Sequence, residues 1–275
     1  VIDAGICSGC GACAGLCPYQ DFYRDRSVVL HPCDLDRGRC YDVCPQTPTD
    51  LEALRRRLYD EADCTPEIGP LKGFFITRAS DEGVRRNAQH GGTVSALVGL
   101  ALREGLIDSA IVAEAGEERL LPRSVTVHGC QSSAPAGKSR FVATPTVAEF
   151  NRSCLGDVRR LGVVATPCQA LALAKMRIQP ASAAGSGIEK LGLVIGLFCG
   201  WILSWNKLVD LLKDRVDLDR VTGMDIPPSR YHTLEVYADG ETLRIPLDDV
   251  DSCVRDSRRI CSDMTAEFSD LSVGS

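Results

Sequence analysis

The sequence has few aromatic side chains, no excess of positive charge and no long apolar run. Phe, Trp and Tyr make up 5% of its 275 residues, which argues against a platform for stacking nucleic-acid bases. The formal net charge of −6 argues against nucleic acid or anionic lipid as the main partner. The longest apolar stretch, residues 190–203, is too short to cross a bilayer, so no transmembrane segment is predicted.

The ends of the sequence lack features of a complete protein. The chain opens on Val1 instead of methionine and shows no signal-peptide pattern. It closes on SDLSVGS, without the usual closing features of a domain. We therefore expect the natural chain to continue beyond both ends.

Cysteine, in contrast, is abundant, with 14 residues. Secreted disulfide scaffolds are usually much shorter and lack a large apolar core, whereas 44% of this chain is hydrophobic. A tight C-x2-C-x2-C-x3-C spacing indicates thiolate ligands in a reducing compartment. We expect a cytoplasmic protein, compatible with a position at the periphery of a membrane complex.

The first cysteine run, CSGCGACAGLCP, has the ligand spacing of bacterial ferredoxins. In that pattern three thiolates hold one 4Fe–4S cluster, and the fourth crosses to a second cluster. Cys7, Cys10 and Cys13 would hold the first cluster, completed by Cys44 from the second run. A structural zinc site is the alternative for these ligands.

The second run, CDLDRGRCYDVCP, is one cysteine short. Cys17, Cys33 and Cys40 would give a second cluster only three thiolates. Three completions stay open: a carboxylate such as Asp36, Cys64 reaching back, or a cluster that is three-iron or absent. We favour a full second cluster whose fourth ligand is Cys64 or an aspartate.

The pattern along the chain predicts two domains. Residues 1–68 are dense in cysteine and poor in periodic segments, which predicts an α+β ferredoxin-like cluster domain held together by metal instead of a core. Residues 69–275 alternate strand-like and helical segments, which predicts an α/β layer structure. The individual predictions are helices over 47–63 and 91–106, strands over 73–79, 109–115 and 191–199, a strand, turn and helix over 161–176, and a hairpin over 233–247 with its turn at Asp239-Gly240.

Four more cysteines lie far apart in the sequence: Cys168, Cys199, Cys253 and Cys261. Cys168 follows a predicted strand and begins a helix, whose N-terminus stabilises a thiolate and hence a bound anionic cluster. Cys199 closes a neighbouring predicted strand. Buried, inert cysteines and a nucleophilic Cys168 are the alternatives, although no histidine is a convincing base for the latter. Spacing alone does not choose among them.

Four segments resemble the beta subunit of coenzyme F420-reducing hydrogenases and dehydrogenases. They are RRNAQHGGTVSALVGLALREGLIDSAIVA, LGVVATPCQALALAKM, LVIGLFCG and RRICSDMTAEFSDLSVGS. The resemblance covers about residues 71–275, in order and at similar spacing. The segment before it is similar to versions of this subunit in which a cluster domain is fused to the flavin domain.

This resemblance implies an FAD-containing iron–sulfur protein with a non-Rossmann α/β core, and no G-x-G-x-x-G motif follows a predicted strand. In the family, a cluster beside the flavin takes the cysteine of a PCQ turn, one that closes a following strand and a C-x2-C pair. The resemblance thus makes Cys168, Cys199 and Cys261 ligands. Arg258 stands where the pair has its first cysteine. Cys253 or a non-cysteine ligand would then complete the cluster.

Candidate flavin residues come from two segments. Gly91 and Gly92 precede a predicted helix and would offer free amides to a phosphate, with hydroxyls from Thr93 and Ser95. Taken alone, Gly-Gly before a helix is usually just a turn. The segment AGKSRF resembles the family's Gly-Thr/Ser-Lys segment, which implies a flavin or pyrophosphate role, where solvated surface is the alternative. The residues so implied are Lys138, Ser139 and Arg140.

A third set of residues would form the pocket wall. Asn87 and the stretch 224–232 are candidates, and Arg230 would meet an anionic substrate tail. No acid–base pair is needed for flavin chemistry, and none is evident.

The sequence therefore predicts an FAD-containing iron–sulfur electron-transfer subunit of a multi-subunit redox complex, with two or three 4Fe–4S clusters. It would move electrons between coenzyme F420 and a hydrogenase, formate dehydrogenase or heterodisulfide-reductase-like partner. One alternative is a related flavoprotein that uses NAD(P)H or another organic substrate. Another is a cluster relay subunit without flavin.

Overall fold

The structure is a computed structural model that describes residues 1–65, 69–118, 120–129, 139–179, 184–227 and 230–274. Within these ranges, no helix is long and apolar enough to cross a membrane. The strands are β1 (Gln20–Tyr23), β2 (Arg26–Val29), β3 (Cys64–Thr65), β4 (Gly69–Pro70), β5 (Ser109–Ala115), β6 (Pro122–His128), β7 (Leu161–Ala165), β8 (Leu191–Leu197), β9 (Val221–Asp225), β10 (Thr233–Ala238), β11 (Glu241–Pro246) and β12 (Leu271–Val273). The α-helices are α1 (Arg39–Val43), α2 (Leu51–Leu58), α3 (Glu82–Asn87), α4 (Thr93–Arg103), α5 (Thr146–Ser153), α6 (Pro167–Ile178), α7 (Trp205–Leu212) and α8 (Leu247–Val250).

The main sheet has five strands in the order β12-β8-β7-β5-β6. β12, β8, β7 and β5 run parallel, and β6 is antiparallel to β5. Parallel neighbours need a crossover connection, which α6 supplies between β7 and β8. The predicted α/β layers are confirmed as a mixed sheet with a parallel centre.

The predicted strand, turn and helix around Cys168 are confirmed. β7 ends at Ala165, and Pro167 opens α6, where its missing N–H and fixed φ suit the first helical position. The Thr166 N–H donates to Gln169 Oε1 (2.8 Å), and Gln169 Nε2 donates to the Thr144 carbonyl (2.8 Å). These bonds fix the turn from which Cys168 projects.

A second sheet is antiparallel, with strand order β11-β10-β9. The predicted hairpin is present as β10 and β11, and its turn residues Asp239 and Gly240 have φ of 52° and 81°. A type I′ turn has both of its central residues in the left-handed region, as these two residues are. This sheet shares a core with α7 in which Leu208, Leu234 and Ile245 are fully buried.

The cysteine-rich segment packs directly on the main sheet's helices. Ala12, Leu16 and Val43 belong to the same hydrophobic core as Phe150 of α5 and Leu173 of α6. The expectation that metal alone holds residues 1–68 is therefore wrong, because apolar burial also attaches them. Described residues before and after 66–68 thus share one core, and the two-domain division stays a prediction.

Residues 73–79 do not form the predicted strand. No strand pairs with them in the described part of the chain, and Phe74, Phe75 and Ile76 are 80%, 80% and 98% exposed. A short apolar run forms a β-strand only where a neighbouring sheet edge supplies backbone hydrogen bonds.

The two predicted helices are confirmed in shorter form. α2 starts after Asp50, whose Oδ1 accepts from the Ala53 N–H (2.9 Å), as an N-cap does. α4 starts at Thr93, directly after Gly92 in the left-handed region (φ 74°).

Candidate functional site

Cys7, Cys10, Cys13 and Cys44 form a first cysteine group, assembled from both cysteine runs. Burial raises the pKa of Cys10 well above its ordinary value, and charge on Cys168, Cys44 and Cys13 raises it further. Burial raises the pKa of Cys13 to about 12. The Ser27 hydroxyl, which hydrogen-bonds Cys13, lowers this pKa, and charge on Cys7 and Cys44 raises it further. The four predicted ligands of the first cluster are therefore within electrostatic range of one another.

Two glycines allow this cysteine loop to lie against the body of the protein. Gly9 has φ of 74°, and a Cβ there would lie 2.5 Å from Ala143 Cβ and 2.6 Å from the Asp25 carbonyl oxygen. Gly11 has φ of 81°, and its Cβ would lie 3.0 Å from the backbone nitrogen of Ala148 in α5. Only glycine fits both the conformation and the space.

Two buried cations hold carbonyl oxygens of the first cysteine group. Lys175, 2% exposed, donates from Nζ to the Cys44 carbonyl (2.6 Å). Arg255 donates from Nη2 to the Cys7 carbonyl (2.9 Å) and from Nη1 to Asp25 Oδ2 (2.7 Å). The sequence interpretation missed both residues. For Lys175 a signal was present, since it is a lone charge within the apolar run ALALAKM.

A second cysteine group consists of Cys17, Cys33 and Cys40. The pKa of Cys40 is raised by burial first and by charge on Cys17 next, with Cys33 adding to it. The Gln20 side chain hydrogen-bonds Cys40, and Gln20 Oε1 is buried without a hydrogen-bond partner in the described part of the chain. Gln20 is thus a further residue at this group that the sequence interpretation missed.

Cys64 and Asp36, the two candidates for the fourth ligand of the second cluster, make no hydrogen bond with Cys17, Cys33 or Cys40 among the described residues. Cys64 lies in β3, where its thiol is 3.6 Å from the Asp60 carbonyl oxygen. Asp36 is exposed. The structure shows Cys17 and Cys33 as the cysteine partners of Cys40, so the fourth ligand stays a prediction.

Cys168, Cys199 and Cys261 form a third cysteine group, although 93 residues separate the first from the last. Burial raises the pKa of Cys199 to about 12, and charge on Cys168 and Cys261 adds to the shift. Burial also raises the pKa of Cys168, opposed by the hydroxyls of Thr166 and Ser8. The structure therefore brings together the three cysteines that the resemblance implied.

Cys253 does not join the third group in the structure. It is 1% exposed and lies in the core that α7 shares with the second sheet. Burial raises its pKa, and the charged residues that act on it are Lys207 and Asp210. The 3-10 turn Asp251–Cys253 directs the side chain into this core, which does not favour the predicted role as a substitute ligand. The charge of Arg258, by contrast, acts on Cys199.

The three cysteine groups are neighbours in space, with the first group between the third and the second. The first and third adjoin, because charge on Cys168 contributes to the raised pKa of Cys10. The first and second adjoin through Cys13 and Cys40, whose charges also interact. Cys33 of the second group is exposed at the surface. The first group therefore adjoins both of the others, and the second group reaches the surface at Cys33.

No three His, Cys, Asp or Glu side chains converge on one single-ion position within the ranges the structure describes. The choice between a zinc site and iron–sulfur clusters at the cysteine groups stays a prediction.

A cavity of about 340 Å³ lies where the third group meets the first. Its lining includes Ser8 and Gly9 of the first cysteine loop and Cys199 of the third group. Phe141 and Trp201 form an apolar wall, with ring centroids 5.6 Å apart. A volume of this size suits a planar ring system of a small molecule.

Arg140 also lines this cavity. Its Nε is buried and has no hydrogen-bond partner among the described residues. Burial lowers the pKa of the guanidinium, and Glu114 partly opposes the shift. An unpartnered buried donor with positive charge is costly unless a bound acceptor or anion satisfies it. An acceptor or anion bound in the cavity would satisfy this donor.

Comparison with known proteins now identifies the family. A family model described as coenzyme F420 hydrogenase/dehydrogenase, beta subunit N-term, matches residues 74–148. The corresponding C-terminus model matches residues 158–275. The chain belongs to the family of coenzyme F420 hydrogenase/dehydrogenase beta subunits. It is an oxidoreductase of this type.

Curated relatives in this family of beta subunits include full-length matches. An F(420)H(2) dehydrogenase subunit of Methanosarcina mazei is 26% identical, covering 100% of this chain and 77% of its own. Coenzyme F420 hydrogenase subunit beta of Methanothermobacter thermautotrophicus is 26% identical over 76% of this chain and 74% of its own. Coenzyme F420-dependent sulfite reductase of Methanocaldococcus jannaschii is 27% identical over 100% of this chain, which spans 43% of that enzyme.

A solved structure is also similar to this member of the family. It is a xenon-derivatised F420-reducing [NiFe] hydrogenase complex from Methanosarcina barkeri. The matched chain is 26% identical with a TM-score of 0.65, over 74% of this chain and 71% of that one.

The flavin residues predicted for this beta subunit divide into two sets. Ser139 and Arg140 line the cavity, whereas Lys138 lies outside the described residues. Gly91, Gly92, Thr93 and Ser95 form the start of α4 and are not among the residues that line the cavity in the described part of the chain.

Gln89, missed by the sequence interpretation, connects the two flavin segments. Its Oε1 accepts from the Ser139 N–H, and its Nε2 donates to Asp225 Oδ1. The segment before α4 is thereby tied to the cavity wall.

The remaining predicted wall residues have local partners. Asn87 donates to the Gly83 carbonyl of its own helix (3.0 Å). Arg230 pairs with Glu235 (3.2 Å), which does not favour the predicted role of meeting an anionic substrate tail. From the stretch 224–232, Ile226 does line the cavity.

Proposed function

We propose that this protein is an FAD-containing iron–sulfur electron-transfer subunit of a redox complex, moving electrons between coenzyme F420 and the clusters of a partner. One observation carries the proposal. The same cavity is lined by Cys199 of the third cysteine group, by Gly9 of the first cysteine loop and by Arg140, whose buried Nε has no partner among the described residues. A hydride-accepting cofactor and a chain of one-electron carriers need this adjacency.

Thiolates suit iron–sulfur clusters, and each iron of a four-iron cluster takes one protein ligand. Cys7, Cys10, Cys13 and Cys44 would hold one complete cluster. Cys17, Cys33 and Cys40 would hold a second, and Cys168, Cys199 and Cys261 a third. The clusters would supply one-electron transfer.

The chain's own residues at the cavity fit FAD, which would supply the exchange between two-electron and one-electron chemistry. Arg140 would satisfy its free Nε–H on the flavin's carbonyl edge or on pyrophosphate. Phe141 and Trp201 would exclude water from one face of the ring. Gln89 would hold the Ser139 backbone in place.

Coenzyme F420 is the proposed carrier because relatives named for it match the whole length of this chain. Electrons would pass from the cavity to the third, first and second groups, and from the exposed second group to a partner subunit. A hydrogenase, formate dehydrogenase or heterodisulfide-reductase-like assembly would suit this role.

The test uses protein purified or reconstituted without oxygen. We expect about twelve irons, the equivalent of three cubane clusters, and one FAD per chain. Reduced F420 should bleach the flavin and produce cluster EPR signals, and NADH and NADPH should not. Bleaching only by NAD(P)H would replace the proposed carrier. Absence of flavin from protein that still supports electron transfer in its complex would favour the relay without flavin.

A further inference from the structure

Lys175 is an unusual residue in the core of this protein. It lies on α6 among fully buried apolar side chains and is itself 2% exposed. Its Nζ donates to the Cys44 carbonyl (2.6 Å), Thr47 Oγ1 (2.9 Å) and Thr49 Oγ1 (3.0 Å). Three acceptors match the three N–H donors of an ammonium, whereas a neutral amine has only two. The hydrogen-bond geometry therefore fits the charged form, although burial lowers the pKa of this ammonium.

All three acceptors of Lys175 are uncharged, and the described residues place no carboxylate in ion-pair contact with it. Burying an ammonium in this way is costly unless negative charge lies nearby. Asp42 acts on Lys175 at longer range, but Asp42 is itself paired with Arg37, whose charge opposes it. The other negative charges that act on Lys175 are those of Cys44 and Cys10, both in the first cysteine group.

Arg255 provides an internal comparison. It also donates to a carbonyl of the first group, at Cys7, but its guanidinium is paired with the Asp25 carboxylate at 2.7 Å. The pair positions the loop without adding net charge. Lys175, by contrast, brings its positive charge to this group without a carboxylate in ion-pair contact among the described residues.

We propose that Lys175 is a positioning and tuning residue whose fixed charge raises the reduction potential of the cluster held by Cys7, Cys10, Cys13 and Cys44. Adding an electron makes a cluster more negative, so a buried positive charge favours the reduced form. The first group would thereby accept electrons from the third. This inference rests on the proposed function, since it requires iron at the first group.

The test is an EPR-monitored redox titration of intact, cluster-loaded protein, comparing Lys175→Met and Lys175→Gln with wild type. We expect one one-electron wave to move to a more negative potential while the others stay. The expected shift is at least a tenfold change in the ratio of reduced to oxidised cluster at a given potential, about 59 mV for a one-electron couple. Both variants should show it, because both lose the charge.

Lys190→Met is the matched control. Lys190 Nζ also donates to backbone carbonyls, of Cys154 (2.7 Å) and Gly156 (3.1 Å), which belong to none of the three cysteine groups. The Lys190→Met variant should leave the reduction potential of every cluster unchanged. A shift in Lys175→Met that is absent from Lys175→Gln would make hydrogen bonding, not charge, the cause and overturn the tuning role.

Iron content separates the possible failures. Wild-type protein without cluster iron would overturn both the proposed function and this inference. Wild-type protein with clusters whose waves are unmoved in both Lys175 variants would overturn this inference alone.

Discussion

At the scale of single residues, Arg140 gives the sharpest test of the flavin site, because its buried Nε lacks a partner in the described part of the chain. We expect Arg140→Gln to weaken FAD binding about tenfold to a hundredfold, since a hydrogen bond to a charged group contributes roughly 1.5–3 kcal/mol. Flavin fluorescence during titration of flavin-depleted protein measures the affinity.

Arg152→Gln is the control for this change. Arg152 is on α5, 74% exposed, and paired with Glu149 at the surface. It should leave FAD affinity unchanged. Equal affinities of Arg140→Gln and wild type would remove Arg140 from the flavin site.

The sequence predicted the cysteines better than the polar residues around them. Cysteine spacing is a direct signal of ligand geometry, and the resemblance supplied Cys168, Cys199 and Cys261, which the fold brings together. Lys175 and Gln89 act through contacts with residues far away in the chain. Such contacts depend on tertiary packing, so the sequence does not give the partners of either residue, although Lys175 stands out as a lone charge in an apolar run. Cys253, one of the two predicted ways to complete the third cluster, lies in the core that α7 shares with the second sheet, and its role as a ligand stays a prediction.

At the scale of elements, the first cysteine loop depends on Gly9 for its position against the Asp25 carbonyl. We expect Gly9→Ala to lower the free energy of unfolding by roughly 2–5 kcal/mol, combining left-handed strain with overpacking. Urea unfolding of reduced, iron-free protein measures the loss.

Gly5→Ala is the matched control for the loop. Gly5 also has a left-handed φ, 71°, but a Cβ there would meet nothing within 4 Å. Gly5→Ala should lower the free energy of unfolding by roughly 1–2 kcal/mol, from backbone strain alone. Equal costs for the two variants would show that the close contact at Gly9 does not stabilise the loop.

Elements with strong local signals were predicted from the sequence. Pro167 and the neighbouring apolar run mark α6, and Asp239-Gly240 marks the hairpin. The strand predicted over 73–79 failed because a short apolar run is compatible with several structures. Whether it becomes a strand depends on a neighbouring sheet edge, which the segment itself does not encode.

At the scale of the whole molecule, stability should depend on whether the cysteines carry metal. In the metal-free fold the pKa values of Cys13 and Cys199 rise from the ordinary 9.0 to about 12. A raised pKa means that the neutral thiol stabilises the fold below about pH 9, and that this stability is lost as the pH rises through 12. We expect the free energy of unfolding to fall between pH 9 and 11, by up to about 1.4 kcal/mol per pH unit for each thiol.

Urea unfolding under reducing, anaerobic conditions at pH 8 to 11 tests this dependence. Cluster-loaded protein should show a shallower slope, since metal-bound thiolates have already lost their protons. Some slope should remain, because burial also raises the pKa of Cys154, which belongs to none of the three cysteine groups, to about 12. Metal-free Cys199→Ala should lose the contribution of one thiol. The same pH dependence in the loaded and metal-free forms would argue that these cysteines do not hold metal.

The two cations that hold the first cysteine group have a consequence for biosynthesis. A chain leaves the ribosome from its N-terminus, so Cys7, Cys10 and Cys13 appear long before Lys175 and Arg255 have been made. Until then, the carbonyls of Cys7 and Cys44 lack the cationic donors that hold them in the finished fold. Although its ligands are among the first residues synthesised, the first cluster would therefore reach its final environment only after synthesis has passed residue 255.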